Sequence, residues 1–289
     1  MKELFNKYNA DFLKEDIQQK VAILGNNSHQ YAKVENLKKI FSLIDLTSLN
    51  TEDNPDKIKS MALKVNDFKN HYPEMPNVAA ICVYPSMTEC VRKNLTIKEL
   101  GLASVGAGFP SSQTFLNIKI EECKQAIAAG ATEIDIVLSV GKFQEGDYEY
   151  CFNEIKEIKS AIGDGHLKVI LESGALSSHQ QIWEASILSM EAGADFIKTS
   201  TGKQEPAATT DAVYVMTKAI KAFYEKTGKK IGIKPAGGIS TQEDALAYFS
   251  IVKENLGDEW INSELFRIGA SRLANNLLTD IYQKEVKYF

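Results

Sequence analysis

Eight short apolar runs, rich in β-branched residues, set the strongest limit on what this chain can fold into. They begin about 24 to 37 residues apart, and segments with helix-like spacing of apolar residues separate them. Strands that alternate with helices are typical of βαβ units, and eight evenly spaced units favour an α/β fold with a closed (β/α)₈ TIM barrel over a doubly wound open sheet. The runs are residues 41–46, 78–84, 102–105, 133–138, 167–171, 196–199, 231–234 and 266–268.

The residues before the first run predict an N-terminal helical extension packed on the barrel, since they carry apolar residues at loosely helical spacing. We assign residues 1–35 to this extension and residues 36–289 to the barrel. Two of the later helical segments, residues 118–129 and 211–226, are followed closely by a glycine, which suits a helix C-terminus. The apolar residues of the extension are Leu4, Phe5, Tyr8, Phe12, Leu13, Ile17 and Val21.

The composition excludes several classes of function. Hydrophobic residues make up 44% of the chain and charged residues 25%, as in globular proteins with a sizeable core. The formal net charge is −5, and the basic residues are scattered without the cluster that nucleic-acid binding needs. The first residues include an acidic one and no long apolar run, so we expect no secretory signal, no membrane span and a cytoplasmic protein.

The cysteines and histidines show no metal-binding spacing. The four cysteines form no Cys-x-x-Cys pair, and no two of the four histidines are three or four residues apart. We therefore expect reduced thiols and no metal site.

Charged residues occupy strand positions that should face the barrel interior, where alternate residues of each strand point. In residues 133–138, Ile134, Ile136 and Leu138 share one parity, and the two carboxylates share the other. The next three runs also direct charges inward, and buried charges persist only as a mutually paired network. Asp135, Lys198 and Lys234 are nearest the C-terminal strand ends, where barrel active sites lie. The predicted interior set is Glu133, Asp135, Glu172, Lys168, Lys198 and Lys234.

Two lysines beside one carboxylate suit imine formation, with Gly232 expected to leave space beside Lys234. A lysine of ordinary pKa is neutral in about one molecule in 2,500 at pH 7, a handicap of about 4.6 kcal/mol for a nucleophilic amine. Desolvation and a second ammonium both lower the pKa of a lysine, and Asp135 could transfer protons. The residues alone leave open whether Lys198 or Lys234 is the nucleophile. Structural ion pairs that plug the barrel are the alternative.

Small-residue turns follow the last two runs and predict an anion site. Paired glycines follow the seventh run and precede a helix that Ser240 or Thr241 could cap, and Ser271 and Arg272 follow the eighth. Barrel phosphate sites lie after strands seven and eight, where free backbone N–H groups can face a ligand. Hydroxyl groups and a cation just after Lys198 extend the same rim. We therefore predict a phosphorylated sugar as the ligand.

With these residues in place, the chain closely resembles the deoxyribose-phosphate aldolase family. The segment Ala194-Asp195-Phe196-Ile197-Lys198-Thr199-Ser200-Thr201-Gly202 is similar to that family's Schiff-base signature. The resemblance implies reversible cleavage of 2-deoxy-D-ribose 5-phosphate to acetaldehyde and D-glyceraldehyde 3-phosphate, without metal or organic cofactor. We also expect a homo-oligomer, either dimer or tetramer. The other matching segments are residues 43–47, 80–85, 133–137, 168–172, 234–239 and 267–271.

The resemblance also implies roles for individual residues. Lys198 would form the imine, Lys234 would lower its pKa and donate protons, and Asp135 would relay protons. The substrate-binding residues would be Asp45, Thr47, Cys82, Lys168 and Thr201. The phosphate-binding residues would be Gly202, Lys203, Gly237, Gly238, Ser271 and Arg272.

Three positions depart from the family pattern. Ser112 stands where a glycine is usual, and Ser240 where many members have arginine. Arg272 follows Ser271 where a second small residue is common, and our hypothesis is that it supplies the missing cation. Three other functions stay open at this point: a different Schiff-base aldolase that acts on a ketose phosphate, a catalytically silent phosphosugar-binding barrel, and a metal-dependent aldolase.

Overall fold

All eight predicted strands are present in the computed structural model, which describes residues 2–289. Each pairs in parallel with its neighbours, as the predicted βαβ units require. The strands are β1 (Ile44–Thr47), β2 (Ala80–Val83), β3 (Gly101–Val105), β4 (Glu133–Val137), β5 (His166–Ile170), β6 (Phe196–Lys198), β7 (Gly232–Lys234) and β8 (Ile268–Ala270).

The strand order β7-β6-β5-β4-β3-β2-β1-β8 makes one sheet of eight strands. Two parallel bridges, Ile233 with Phe266 and Ala236 with Gly269, bring its two ends together, so the predicted TIM barrel is confirmed. The eighth strand lies over Ile268–Ala270 and not over the predicted residues 266–268, because its pairing with β1 begins only at Ile268.

Helices fill the intervals between strands and cover the barrel. Predicted segment 211–226 corresponds to a helix that begins after Thr209, whose side chain accepts a hydrogen bond from the Ala212 N–H, and ends at Gly228 with φ 72°. No helix within residues 2–289 has the length and apolar character needed to cross a membrane. The helices are α1 (Lys2–Phe5), α2 (Ile17–Asn27), α3 (Val34–Phe41), α4 (Pro55–His71), α5 (Pro85–Asn94), α6 (Leu116–Ala128), α7 (Val140–Gln144), α8 (Tyr148–Ala161), α9 (His179–Glu191), α10 (Thr210–Thr227), α11 (Gln242–Leu256) and α12 (Leu273–Tyr282).

The N-terminal segment packs on the outside of the barrel through aromatic side chains. Phe5 meets the Tyr148 ring edge-on at 5.4 Å between centroids, and Tyr8 stacks on Phe223 at 5.9 Å. Helix α3 spans the predicted boundary between residues 35 and 36, and that division stays a prediction. Residue 1, where the predicted extension begins, lies outside the described residues.

The core lies between the strands and the helices, and the interior contains the charged residues. The outward-facing Ile134 and Ile136 are fully buried against the helices, as the alternation predicts. The expectation that Gly232 leaves space beside Lys234 is wrong, because the Phe196 ring occupies the position that a Gly232 side chain would take. Glycine is therefore required at position 232 so that β7 can pack against the Phe196 ring.

We expect Gly232→Ala to destabilise the protein by about 1–3 kcal/mol, since its methyl group would overlap a buried ring. Gly25→Ala is the matched control, because Gly25 lies in α2 with open space around the new methyl group and alanine favours helix by about 0.5–1 kcal/mol. Chemical denaturation of both variants measures the difference. Equal effects of the two substitutions would contradict this account of Gly232.

Candidate active site

Three lysines meet the carboxylate of Asp135 inside the barrel. Lys198 and Lys234 end β6 and β7 and are opposite each other in register. Their Nζ atoms donate to Oδ2 of Asp135 at 2.9 and 2.8 Å, and Lys168 on β5 donates to Oδ1 at 3.1 Å. All four side chains are buried, so the predicted inward orientation of these residues is confirmed.

Contacts beyond this carboxylate close an alternating ring of charges. Lys168 also donates to Glu133, and Oε1 of Glu133 accepts from Nη2 of Arg267 at 2.9 Å. Nη1 of Arg267 donates to Oδ1 of Asp45 at 2.7 Å, and Oδ2 of Asp45 lies 2.5 Å from Nζ of Lys234. We call this closed set the ionic ring, and its members in order are Asp135, Lys168, Glu133, Arg267, Asp45 and Lys234.

The predicted interior set is correct for Glu133 and wrong for Glu172. Glu172 is not part of the network; it lies just beyond β5 with φ 52°, and its carboxylate accepts the N–H and hydroxyl of Thr201 at 3.1 and 2.6 Å. Arg267 and the inward position of Asp45 were missed by the strand analysis. The same parity rule would have found both, because each is flanked by two apolar residues within or beside a strand.

The surroundings of Lys198 and Lys234 differ, which removes the symmetry between the two amines. Burial lowers the pKa of Lys198 and the nearby Lys234 lowers it too, and the single carboxylate of Asp135 does not offset these effects. Burial also opposes the charge on Lys234, but Asp135 and Asp45 together raise its pKa well above the usual value. Lys234 therefore holds its proton more firmly, and Lys198 is the amine more readily neutral.

A cavity of about 210 Å³ opens over the C-terminal ends of the strands and reaches Lys198. Of the predicted site residues, the ones that line it are Thr47, Lys198, Thr201, Gly202, Lys203, Gly237, Gly238, Ser271 and Arg272. The others are buried and do not line the cavity, and we call them the floor: Asp45, Cys82, Asp135, Lys168 and Lys234. Lys198 thus links the ionic ring to the cavity.

The far end of the cavity has the features of an anion site. Gly237 and Gly238 have φ of 90° and 78°, a conformation that strongly favours glycine, and a side chain on Gly237 would collide with Ala207. Helix α12 begins here without a side-chain cap, and Ser271 and Arg272 at its start line the cavity. Backbone N–H groups at such a helix start attract anions.

One part of the predicted anion site is already satisfied within the protein. Thr241 caps α11, and the N–H groups of Ser240 and Thr241 both donate to the carboxylate of Asp244. The free N–H groups predicted after strand seven therefore do not include these two. Among residues 2–289, no protein acceptor takes the N–H of Gly237 or Gly238.

The rim segment that follows β6 is held from two sides. Besides its bonds to Glu172, the Thr201 hydroxyl accepts the N–H of Lys203 at 3.0 Å. The Lys203 ammonium in turn donates to the carbonyl of Leu49 in the loop after β1. This chain of contacts positions a cation over the cavity.

The departure at Ser112 lies away from the cavity. Ser112 has φ 58°, which explains why glycine suits this position, and its hydroxyl accepts from Nζ of Lys119 at 2.7 Å. Lys119 is buried with Glu154 outside the barrel interior, at 2.6 Å. Ser240 and Arg272, the other two departures, both line the cavity.

Within residues 2–289, no group of three His, Cys, Asp or Glu side chains could hold a metal ion.

The fold and the site together define a class of protein, a (β/α)₈ barrel with a buried amine at one end of a cavity whose other end has the features of an anion site. The family model described as DeoC/LacD family aldolase matches residues 39–256. The chain belongs to this family and is an aldolase, a carbon–carbon lyase.

Its similarity to individual relatives extends over most of the chain. Deoxyribose-phosphate aldolase of Homo sapiens is 42% identical over 256 residues, which cover 85% of this chain and 80% of the human protein. The Bos taurus enzyme of that name is 41% identical over 259 residues, with the same two coverages of 85% and 80%. A structure from Aeropyrum pernix, described as a unique tetrameric structure of deoxyribose phosphate aldolase, aligns with a TM-score of 0.67 and 22% identity. It covers 89% of this chain and 96% of its own, and it shows the fold.

We expect Glu172→Gln to weaken anion binding in the cavity several-fold. The two Thr201 donors go to different oxygens of Glu172, and an amide replaces one of these acceptors with an NH₂ donor, so the segment carrying Lys203 loosens. The rise in Tm that inorganic phosphate produces measures this. Glu184→Gln is the matched control, since Glu184 also accepts two side-chain hydrogen bonds but lies on α9 outside the barrel. Unchanged phosphate stabilisation in Glu172→Gln would contradict the positioning of this segment.

Proposed function

We propose that the protein catalyses the reversible cleavage of 2-deoxy-D-ribose 5-phosphate into acetaldehyde and D-glyceraldehyde 3-phosphate, with Lys198 as the imine-forming lysine. The observation that carries this proposal is the difference between the interior lysines. Of Lys168, Lys198 and Lys234, only Lys198 lines the cavity, and only its pKa is lowered. The names of the relatives support the choice of substrate.

The chemistry begins with attack of the neutral Lys198 amine on the aldehyde carbon C1. The carbinolamine then loses its hydroxyl group as water, which requires a proton, and a protonated imine remains. Removal of the proton on the C3 hydroxyl breaks the C2–C3 bond and releases D-glyceraldehyde 3-phosphate. The electron pair of that bond moves into an enamine, which takes a proton at C2 and is hydrolysed to acetaldehyde and free Lys198.

Asp135 and Lys234 are placed to serve the proton transfers. Asp135 contacts the nitrogen of Lys198 and the ammonium of Lys234 through the same oxygen. Burial opposes its charge, but the three lysines hold the pKa of this carboxyl well below its usual range. It therefore acts as an acceptor that passes protons between Lys198, Lys234 and water in the cavity.

The remaining assignments depend on whether a residue lines the cavity or lies buried beside the catalytic groups. Thr47 and Thr201 line the cavity and bind the substrate hydroxyls, while Asp45 and Lys168 act from the floor by holding the catalytic groups in place. Cys82 packs with Leu49 in a small apolar cluster that suits the two-carbon fragment. Phosphate is held by Gly202, Lys203, Gly237, Gly238, Ser271 and Arg272.

The reaction needs neither a metal nor an organic cofactor, since the protonated imine on Lys198 is the electron sink. We also propose a cytoplasmic location, for which the four free cysteines are suitable. We further propose that the protein forms a homo-oligomer, either a dimer or a tetramer. Phe115 and Ile118, 78% and 50% exposed at the start of α6, offer apolar surface for such a contact.

We expect Lys198→Met to abolish turnover and the adduct that acetaldehyde and borohydride leave on the wild-type protein, with the fold retained. Peptide mapping of the reduced adduct identifies the lysine. Lys229→Met, at an exposed position, is the control and should keep both properties. An adduct on Lys234 would reverse the assignment, and trapping by a ketose phosphate but not by acetaldehyde would indicate a different aldolase.

We expect Gly238→Asp to raise KM for 2-deoxy-D-ribose 5-phosphate by about tenfold or more, because a carboxylate would repel the phosphate group where open space now lies. Activity on unphosphorylated 2-deoxyribose should change much less. Gly238→Asn adds nearly the same bulk without the charge and separates repulsion from strain. Equal losses on both sugars would indicate general damage and not a phosphate site.

A further inference from the structure

The charges of the ionic ring compensate one another without Lys198. Three carboxylates alternate with three cations, and each cation contacts two carboxylates: Lys168 contacts Glu133 and Asp135, Lys234 contacts Asp45 and Asp135, and Arg267 contacts Asp45 and Glu133. Lys198 is a fourth cation attached to the ring from outside. Its one carboxylate partner, Asp135, already contacts two other ammonium groups.

We propose that Glu133 and Arg267 are positioning residues that close this ring and thereby leave Lys198 as the one interior amine without a carboxylate of its own. The inference rests on the proposed imine chemistry of Lys198. Neither residue lines the cavity, and their side-chain hydrogen bonds go to other ring members and, for Arg267, to the carbonyl of Ser263. They act on Lys198 through the balance of buried charge.

The groups that face Lys198 come from several strands. Asp135 of β4 contacts it, Lys234 of β7 lies beside it, and the Cys82 thiol of β2 lies near both. Burial raises the pKa of this thiol, so it is uncharged at neutral pH. Lys168 of β5 and Asp45 of β1 act through their ring partners, and Lys203 and Arg272 are further cations that line the cavity. The protonation state of Lys198 therefore depends on the net charge of the ionic ring.

The count of charges gives the sign of each effect. With Lys198 neutral, the interior holds three positive and three negative groups, so protonation of Lys198 leaves one uncompensated buried cation. Removing the charge of Arg267 leaves the interior short of one positive charge. Protonated Lys198 would supply that charge, so the pKa of Lys198 rises. Removing the charge of Glu133 leaves an excess of positive charge in the interior, which lowers the pKa of Lys198.

The test is the pH dependence of Arg267→Gln, Glu133→Gln and the double variant. The acidic limb of kcat/KM should move to higher pH in Arg267→Gln and to lower pH in Glu133→Gln. Each shift should be about one pH unit, the effect of a unit charge roughly 10 Å away at an effective dielectric constant of about 20. The double variant removes one charge of each sign and should return the limb to the wild-type position. Limbs that stay in place, or that move in the same direction in both single variants, would overturn the proposal.

A second readout does not depend on turnover. The rate at which acetic anhydride acetylates Lys198, followed by mass spectrometry over the same pH range, reports the neutral fraction of this amine. A wild-type protein without aldolase activity would refute the proposed function, yet the acetylation profiles would still accept or reject the role of the ring.

Two further variants separate charge from stability. Arg267→Lys keeps the cation and should keep the wild-type limb even if the protein unfolds at a lower temperature. Lys119→Gln is the matched control, because it removes a buried cation paired with Glu154 outside the barrel interior, and it should lower stability without moving the limb. If Arg267→Gln does not fold, the downward shift in Glu133→Gln and its reversal in the double variant decide the question.

Discussion

The carboxylate of Asp135 is the interaction on which the rest of the site depends. It is fully buried, and an isolated carboxylate in such a place would take up a proton instead of staying charged. Three ammonium groups at 2.8–3.1 Å keep it ionised. Because those lysines come from three consecutive strands, the contact also fixes how β5, β6 and β7 lie relative to β4.

The barrel geometry makes such a cluster possible at little cost in local structure. Parallel strands in register place Lys198 directly beside Lys234, so the chain needs no strained backbone at either lysine. Strain occurs instead at Glu172, just after β5, where a left-handed residue turns its carboxylate toward the rim and away from the ring. The strands therefore hold the ionic groups, and the loops hold the residues that face a ligand.

Much of this arrangement could be predicted from the sequence, and the physical reason is the two-residue period of a strand. Parity alone identified Asp135, Lys168, Lys198 and Lys234 as interior residues. It failed for Glu172, because the alternation ends where the strand ends. It could not show which charges touch, since that depends on the register between strands that are distant along the chain. The ring, closed through Arg267, is visible only in three dimensions.

The same limit explains why Lys198 and Lys234 looked equivalent in the sequence. Both end a strand, both point inward, and each lies beside the other. Their difference comes from a carboxylate on β1, Asp45, which contacts Lys234 and leaves Lys198 with a single partner. A group that does not line the cavity thus makes Lys234 hold its proton more firmly than Lys198. A substitution among the buried residues below the cavity can therefore alter the chemistry as strongly as one in the cavity.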